Sequence, residues 1–308
     1  MHTLAMHLVL LWALCMPILA SAFTGITIIM SAPTQTNLAF VEEFKRELAN
    51  SRNAAIKVRT IDLDESKRLV VAENGELVIA LGVRALEMAS QLKPTTLVLG
   101  VFTPLPVFNA VMEKSRRDLG NFSAIVLDQP YQRQMALVKT VLPESRSLGI
   151  LLGSASVSNS EALREEGEKK GLRINMESIT QESELIPKLN QILQSNDSLL
   201  AVPDPIVYSR ETVQPILLTS YRYQKPVFGF SQSYVKAGAL AAVYSTTAQL
   251  AKQAVEITVR SQQQQNILLP PQPPKYFSVS INQQVARALN ITPDREEVVE
   301  KKLMSLEH

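Results

Sequence analysis

Histidine, cysteine and tryptophan are almost missing from this chain of 308 residues, which has three His, one Cys and one Trp. His2, His7, Trp12 and Cys15 all lie in the first 22 residues, and the third histidine, His308, is the last residue. The stretch from Phe23 to Glu307 therefore holds none of the three. This excludes from it disulfides, Cys/His zinc sites, thiol nucleophiles and every mechanism in which imidazole is the general base. A chain so equipped is expected to bind rather than to catalyse, with no metal and no cofactor. Charge of a single sign is scarce as well. The net charge is +2, no basic run exceeds Arg116-Arg117 or Lys169-Lys170, and there is no acidic tail, so neither nucleic acid nor a membrane surface is an expected partner. The carboxylate pairs Glu42-Glu43, Glu165-Glu166 and Glu296-Glu297 are sequence neighbours, which do not face each other on a helix, and they read as solvated faces.

What is present is ordinary globular composition, 46% apolar and 19% charged, in a length that suits two domains. Residues 1–22 carry a short apolar core followed by Ala20-Ser21-Ala22. The core is too short for a bilayer, which takes about 20 apolar residues, and the small-x-small ending is that of an export signal. Cleavage is expected after Ala22, with a periplasmic location. A lipid anchor at Cys15 fits less well, because Ala13-Leu14 precedes it where a small residue is wanted. Leu306-Glu307-His308 looks like a purification-tag scar and is left out of the fold reading.

Between these ends, short apolar runs alternate with helical patterns. Gly25–Met30, Ile56–Ile61, Leu77–Gly82, Thr96–Val101 and Ser123–Leu127 read as strands; helices are predicted over Leu38–Ser51, Glu65–Ala72, Arg84–Leu92 and Val107–Arg117. In the first helix Phe40, Val41, Phe44 and Leu48 recur at one-turn spacing, the mark of one buried face. The pattern then restarts: helix Pro130–Leu142, strand Ser147–Leu152, helix Asn159–Lys170 closed by Gly171, strand Arg173–Ser178, helix Leu185–Gln194. Next, an apolar strand over Leu199–Val202 delivers Pro203-Asp204-Pro205 at its carboxyl end. A helix is predicted from near Ile206 to about Gln224, and Pro226–Phe230 is a further strand. Gln262–Gln265 and Pro270–Pro274 form a connector, since proline suits neither a helix interior nor a central strand. A strand over Tyr276–Ile281, a helix over Asn282–Leu289 and a helix over Pro293–Leu303 capped by Thr292 close the chain. Two successive alternating units of about 100 residues predict an α/β protein of two doubly wound, parallel-sheet (Rossmann-like) lobes.

Several of these stretches carry a family likeness. Pro203-Asp204-Pro205, the run Lys225-Pro226-Val227-Phe228-Gly229-Phe230-Ser231 with Val235-Lys236-Ala237-Gly238-Ala239-Leu240, and Val279-Ser280-Ile281-Asn282 with Ala286 and Leu289 resemble the periplasmic substrate-binding proteins of ABC transporters. The likeness is to the type I, two-lobed class, in the branch that includes tryptophan- and tyrosine-binding members. It implies two lobes joined by three crossings with a ligand cleft between them, the first lobe being 23–127 plus 246–270 and the second 128–245 plus 271–305. It also implies a small-molecule ligand and a partner in an ABC permease, or in another membrane or periplasmic receiver. The acid matching Asp204 commonly faces a ligand ammonium group in such relatives. The chain departs from the family pattern where Thr103-Pro104 replaces an Asp-Pro, where Asn121-Phe122-Ser123 replaces a Gly-rich turn, and where Tyr244-Ser245-Thr246-Thr247 replaces Tyr-Gly followed by an acid. With fewer acids, the implied ligand is amino-acid-like or more apolar. A sensor or apolar-ligand shuttle on the same fold is the alternative to an importer's binding protein.

In an open parallel sheet, ligands sit at the strand carboxyl ends. The residues placed there are Ser31, Thr34, Gln35, Arg84, Phe102, Thr103, Asp128, Ser154, Asp204, Phe230, Ser231 and Tyr244. Hydroxyls, an amide and carboxylates can orient a ligand, while Phe102, Phe230 and Tyr244 offer flat apolar surface. Each Ser and Thr, and Asp204, has a second reading as a helix N-cap. Arg84 can bind a carboxylate or lie on a helix surface, and Phe102 and Phe230 can equally belong to the core. Gly153-Ser154-Ala155-Ser156 precedes a helix but lacks the lysine of a nucleotide-binding loop.

Overall fold

The computed structural model describes residues 24–51, 53–64 and 75–307. The export-signal reading and the helix predicted over Glu65–Ala72 lie outside the described residues.

Continuously apolar runs make strands that are covered by helices on both faces. β1 (Gly25–Met30), β3 (Glu76–Leu81), β4 (Leu97–Thr103) and β5 (Phe122–Val126) are of this kind, and β2 (Val58–Asp62) is the half-exposed edge. They pair in parallel in the order β2-β1-β3-β4-β5. The second sheet contains β6 (Ser147–Leu152), β7 (Arg173–Ser178), β8 (Ser198–Leu200), β9 (Val227–Gly229), β10 (Ala241–Tyr244) and β11 (Ser278–Ile281), in the order β11-β10-β9-β8-β6-β7. The strand order reverses at β1/β3 in one sheet and at β6/β8 in the other, and a crevice opens outside the strand carboxyl ends at such points.

The helices are α1 (Gln35–Ala49), α2 (Val83–Ser90), α3 (Leu105–Lys114), α4 (Tyr131–Val141), α5 (Ser160–Lys169), α6 (Leu185–Ser195), α7 (Val213–Arg222), α8 (Gln232–Ala237), α9 (Thr247–Gln263), α10 (Gln283–Ala288) and α11 (Glu296–Ser305). Phe40, Phe44 and Leu48 of α1 share one core with Leu250, Ala251 and Ala254 of α9, over Ile26, Ile79 and Leu99 of the first sheet. Leu86 of α2 and Phe108 of α3 cover the other face. In the second lobe, α4, α5 and α11 cover one face through Val138, Leu163 and Leu303. There α6, α7 and α8 cover the opposite face through Leu189, Ile216 and Tyr234. Helix α9 thus follows a strand of the second sheet yet packs in the first lobe. Gln272, beyond α9, still pairs with the first lobe, its carbonyl accepting from Val126 N–H at 3.0 Å. The chain therefore passes between the lobes at 127–130, 245–246 and 273–277.

Four elements differ from the sequence reading. Strand β11 is antiparallel to β10. Both strands meet a crossing at the same end of the sheet, so a chain leaving by one and returning by the other reverses direction. The helix expected from Ile206 begins at Val213, because two turns come first. Asp204 engages the N–H groups of Ile206 and Val207, and the Thr212 hydroxyl donates to Val207 O at 2.8 Å. The last helix begins at Glu296, and Thr292 does not cap it; the residue before a proline is driven to extended backbone, and Thr292 precedes Pro293. Finally, Gln262 and Gln263 belong to the last turn of α9 rather than to a connector.

Helix α9 opens on a capping box. The Thr246 hydroxyl accepts from Gln249 N–H at 3.2 Å, and the Gln249 side chain accepts from Thr246 N–H at 2.8 Å. Thr246→Ala is expected to cost about 1 kcal/mol in chemical denaturation, the usual effect of losing an N-cap hydroxyl.

Candidate functional site

Most polar residues at the strand ends are engaged locally. In the first lobe, Ser31 Oγ accepts from Ala85 N–H at 3.0 Å, and Arg84 donates to Ser31 O at 3.1 Å and to Asp64 at 2.7 Å. Thr34 caps α1 through Asn37 N–H at 3.2 Å, with Gln35 exposed beside it. Phe102 takes φ +60°, in the left-handed region that a bulky residue seldom occupies. The β4–β5 register shifts there. The Phe102 ring turns edge-on to Phe40 at 5.5 Å and joins the first-lobe core. Thr103 is fully buried and its hydroxyl has no hydrogen-bond partner among the described residues. Ser154 is exposed at the end of β6.

Asp204 takes the capping role. Its Oδ1 accepts from Ile206 N–H at 2.9 Å and Val207 N–H at 3.3 Å, its Oδ2 accepts from the Ser156 hydroxyl at 2.9 Å, and the residue is 4% exposed. A carboxylate held by three internal donors has little left for a ligand.

The crossings are bound to one another by side chains. Gln129 Nε2, in the first crossing, donates to Ser245 Oγ in the second at 2.9 Å, and that hydroxyl donates to Tyr276 O in the third at 2.6 Å. Arg133 on α4, 4% exposed, donates to Gln129 Oε1 at 2.6 Å and Pro274 O at 3.0 Å, lies over the Phe277 ring at 4.1 Å and pairs with Glu307.

Against this junction lies a cavity of about 330 Å³. The first crossing contributes Leu127, Asp128 and Gln129, α4 contributes Tyr131 and Gln134, and the third crossing Pro274. The ends of β8, β9 and β10 add Val202 and Pro203, Phe230 and Ser231, and Val243, Tyr244 and Ser245; the first lobe reaches in through Pro104. Of the twelve residues anticipated from sequence, Asp128, Phe230, Ser231 and Tyr244 come together here; Ser31, Thr34, Gln35, Arg84, Phe102, Thr103, Ser154 and Asp204 are not in the wall. Tyr131, Gln134 and the prolines Pro104, Pro203 and Pro274 were not anticipated. Pro104 directly follows β4 and Pro274 lies in the third crossing, whereas Tyr131 and Gln134 belong to the first turns of α4 and carry no local signal.

The wall is mostly apolar, with few polar points. Phe230 is held by Tyr234 at 5.2 Å and by Tyr208, edge-on, at 6.0 Å. Ser231 is engaged as the cap of α8, accepting from Tyr234 N–H at 3.1 Å. Asp128 Oδ2 accepts from Leu105 N–H at 2.6 Å, which fixes the start of α3. Asp128 keeps surface open to the cavity, yet the protein packed around it raises its carboxyl pKa, against the opposing effect of the Leu105 bond. Burial, and secondarily the Asp128 charge, raises the Tyr131 hydroxyl; burial raises that of Tyr244. Among the described residues no group of three or more His, Cys, Asp or Glu could hold a metal ion.

Two doubly wound lobes, three crossings and a cavity where the lobes meet define a type I, two-lobed solute-binding protein. The family described as ABC transporter substrate binding protein matches residues 39–302, and the chain belongs to that family. Among solved structures, the ligand-free, open form of CD0873, a substrate binding protein with adhesive properties from Clostridium difficile, is similar at TM-score 0.69 and 16% identity, covering 89% of this chain and 97% of that one. An ABC domain from Streptococcus pneumonia in complex with L-Trp is similar at TM-score 0.61 and 16% identity, covering 91% and 98%. A conserved domain protein from Vibrio cholerae is similar at TM-score 0.60 and 17% identity, covering 90% and 98%. Among curated proteins, none matches the chain.

Proposed function

We propose that the protein is a periplasmic solute-binding protein that captures a small molecule between its lobes and delivers it to an ABC-type importer, without catalysing a reaction. The observation that carries this reading is the apolar cavity at the crossings. A ligand seated there touches both the second lobe and the hinge, so its contacts can favour one lobe arrangement over another. The volume is at the small end of ligand pockets, which run about 300–1,000 Å³. In this reading the lobes are 23–127 plus 246–270 and 128–245 plus 271–305, save that Gln272 still pairs with the first lobe, and Asp128, Phe230, Ser231 and Tyr244 are first contacts. Ser31, Thr34, Gln35 and Ser154 meet ligand only after closure. The L-Trp complex of the Streptococcus relative supports a flat ligand.

Small molecules released from protein purified out of its native periplasm, identified by mass spectrometry, supply the ligand for the test. Phe230→Ala and Tyr244→Ala are each expected to weaken it by about tenfold or more in calorimetry, with the fold retained by circular dichroism. Unchanged affinity in both variants, or no lobe closure by solution scattering with a tightly bound ligand, would overturn the reading. The apolar wall also favours a second receiver, a sensor or apolar-ligand shuttle in place of a permease. Ligand uptake into vesicles holding a permease and ATPase supports import; ligand-dependent capture by a sensor kinase or outer-membrane receptor, with no uptake, supports the second receiver.

A further inference from the structure

The charge of the cavity has one sign. Asp128 is the sole Asp, Glu, Lys or Arg in its wall, and among the described residues no Lys or Arg forms an ion pair with it. The two arginines described above are engaged elsewhere. Arg133 is held by Gln129, Pro274 and Glu307 behind the wall, and Arg84 at the first-lobe edge is paired with Asp64. Three rings, Tyr131, Phe230 and Tyr244, share the wall with Asp128. A ligand carboxylate entering this space meets an acid and no cation. A ligand ammonium meets a carboxylate and π faces, both of which attract it.

Building on the binding-protein reading above, we infer that the cavity takes an organic ammonium ion with an apolar or aromatic body and no carboxylate, with Asp128 as its counter-ion. The rings and prolines enclose the body, while Asp128 Oδ2 remains fixed by Leu105 N–H, so the charge is held in place before the ligand arrives. The upward shift of the Asp128 carboxyl by burial fits a site that lacks a cation of its own.

The test is calorimetry on the processed full chain with four indole probes and one aryl ammonium: tryptamine, L-tryptophan, indole-3-propionate, 3-methylindole and benzyltrimethylammonium. Tryptamine is expected to bind at least about tenfold tighter than the zwitterion, the acid and the neutral indole, a gap of about 1.4 kcal/mol. Benzyltrimethylammonium is expected to bind more tightly than indole-3-propionate. Asp128→Asn keeps an acceptor for Leu105 N–H and is expected to erase the preference, weakening tryptamine about tenfold while changing 3-methylindole less than about threefold. L-tryptophan or indole-3-propionate binding as tightly as tryptamine, an unaltered preference in Asp128→Asn, or no binding by any probe would overturn the ammonium inference. The binding-protein reading falls separately, if the ligand released from the native periplasm produces no lobe closure.

Discussion

Gly153→Ala is expected to destabilise the protein by about 3 kcal/mol, the upper end of the usual cost of overpacking a filled site. A Cβ on Gly153 would stand 2.5 Å from Asp204 Cγ and 2.6 Å from Oδ2, and closer still to Oδ1. Asp204 cannot retreat, because Ser156, Ile206 N–H and Val207 N–H hold both carboxylate oxygens. Gly153 is itself fixed, its carbonyl accepting from Ser156 N–H at 3.1 Å and Val157 N–H at 2.9 Å. The gain from restricting the unfolded chain, at most about 1 kcal/mol for Gly→Ala, is too small to offset the clash. Asp204→Ala removes the colliding atoms, so in that background Gly153→Ala is expected to cost less than about 1 kcal/mol. A double-mutant cycle by urea denaturation should give an interaction energy of about 2 kcal/mol. Additive costs would mean that the carboxylate moves aside freely. Asp204→Ala should also leave ligand affinity within about threefold, less than the ~1–3 kcal/mol that attends loss of a buried polar partner. A tenfold loss with the fold intact would return Asp204 to the ligand.

Asp204 and Asp128 show what was legible in the sequence. Strands buried on both faces announce themselves as runs such as Gly25–Met30 and Ser147–Leu152, and their alternation with helices gave the two lobes directly. Asp204 sits in an equally local pattern: an Asp before proline, with free N–H groups two and three residues on, forms its own turn. That pattern favours capping, and the structure follows it. For Asp128 the partner is Leu105 N–H, 23 residues earlier, and its surroundings are three segments drawn together by the crossings. No spacing along the chain encodes that meeting. The same holds for Tyr131, which a helical pattern presents as an ordinary first-turn residue. Phe102 was open between ligand and core, and the bulge and positive φ that turn its ring onto Phe40 come from β4–β5 register.

Arg133→Ala is expected to cost about 3–5 kcal/mol, chiefly from two orphaned buried acceptors, and to loosen the hinge at the same time. In a helical pattern the residue looks like a surface arginine, yet it is 4% exposed. Its Nη1 holds the first crossing through Gln129 Oε1 and the third through Pro274 O, and its plane covers the Phe277 ring. Truncation orphans two buried acceptors at about 1–3 kcal/mol each and strips the ring of its cover. Lysine keeps the charge but lacks the planar fork that serves several acceptors at once, so Arg133→Lys should recover less than half of the loss. Glu307 is 27% exposed, so its pairing is expected to matter less than the two crossing contacts. The functional consequence runs through Gln129, which joins Arg133, Ser245 and the cavity wall. Freed of Arg133, Gln129 no longer fixes the first crossing against the second. Ligand affinity should then fall by about tenfold even when the measurement is made well below the unfolding midpoint. Gln129→Ala should lower affinity similarly and, combined with Arg133→Ala, add little further. Two independent, additive losses would show that Arg133 stabilises the second lobe without governing the hinge.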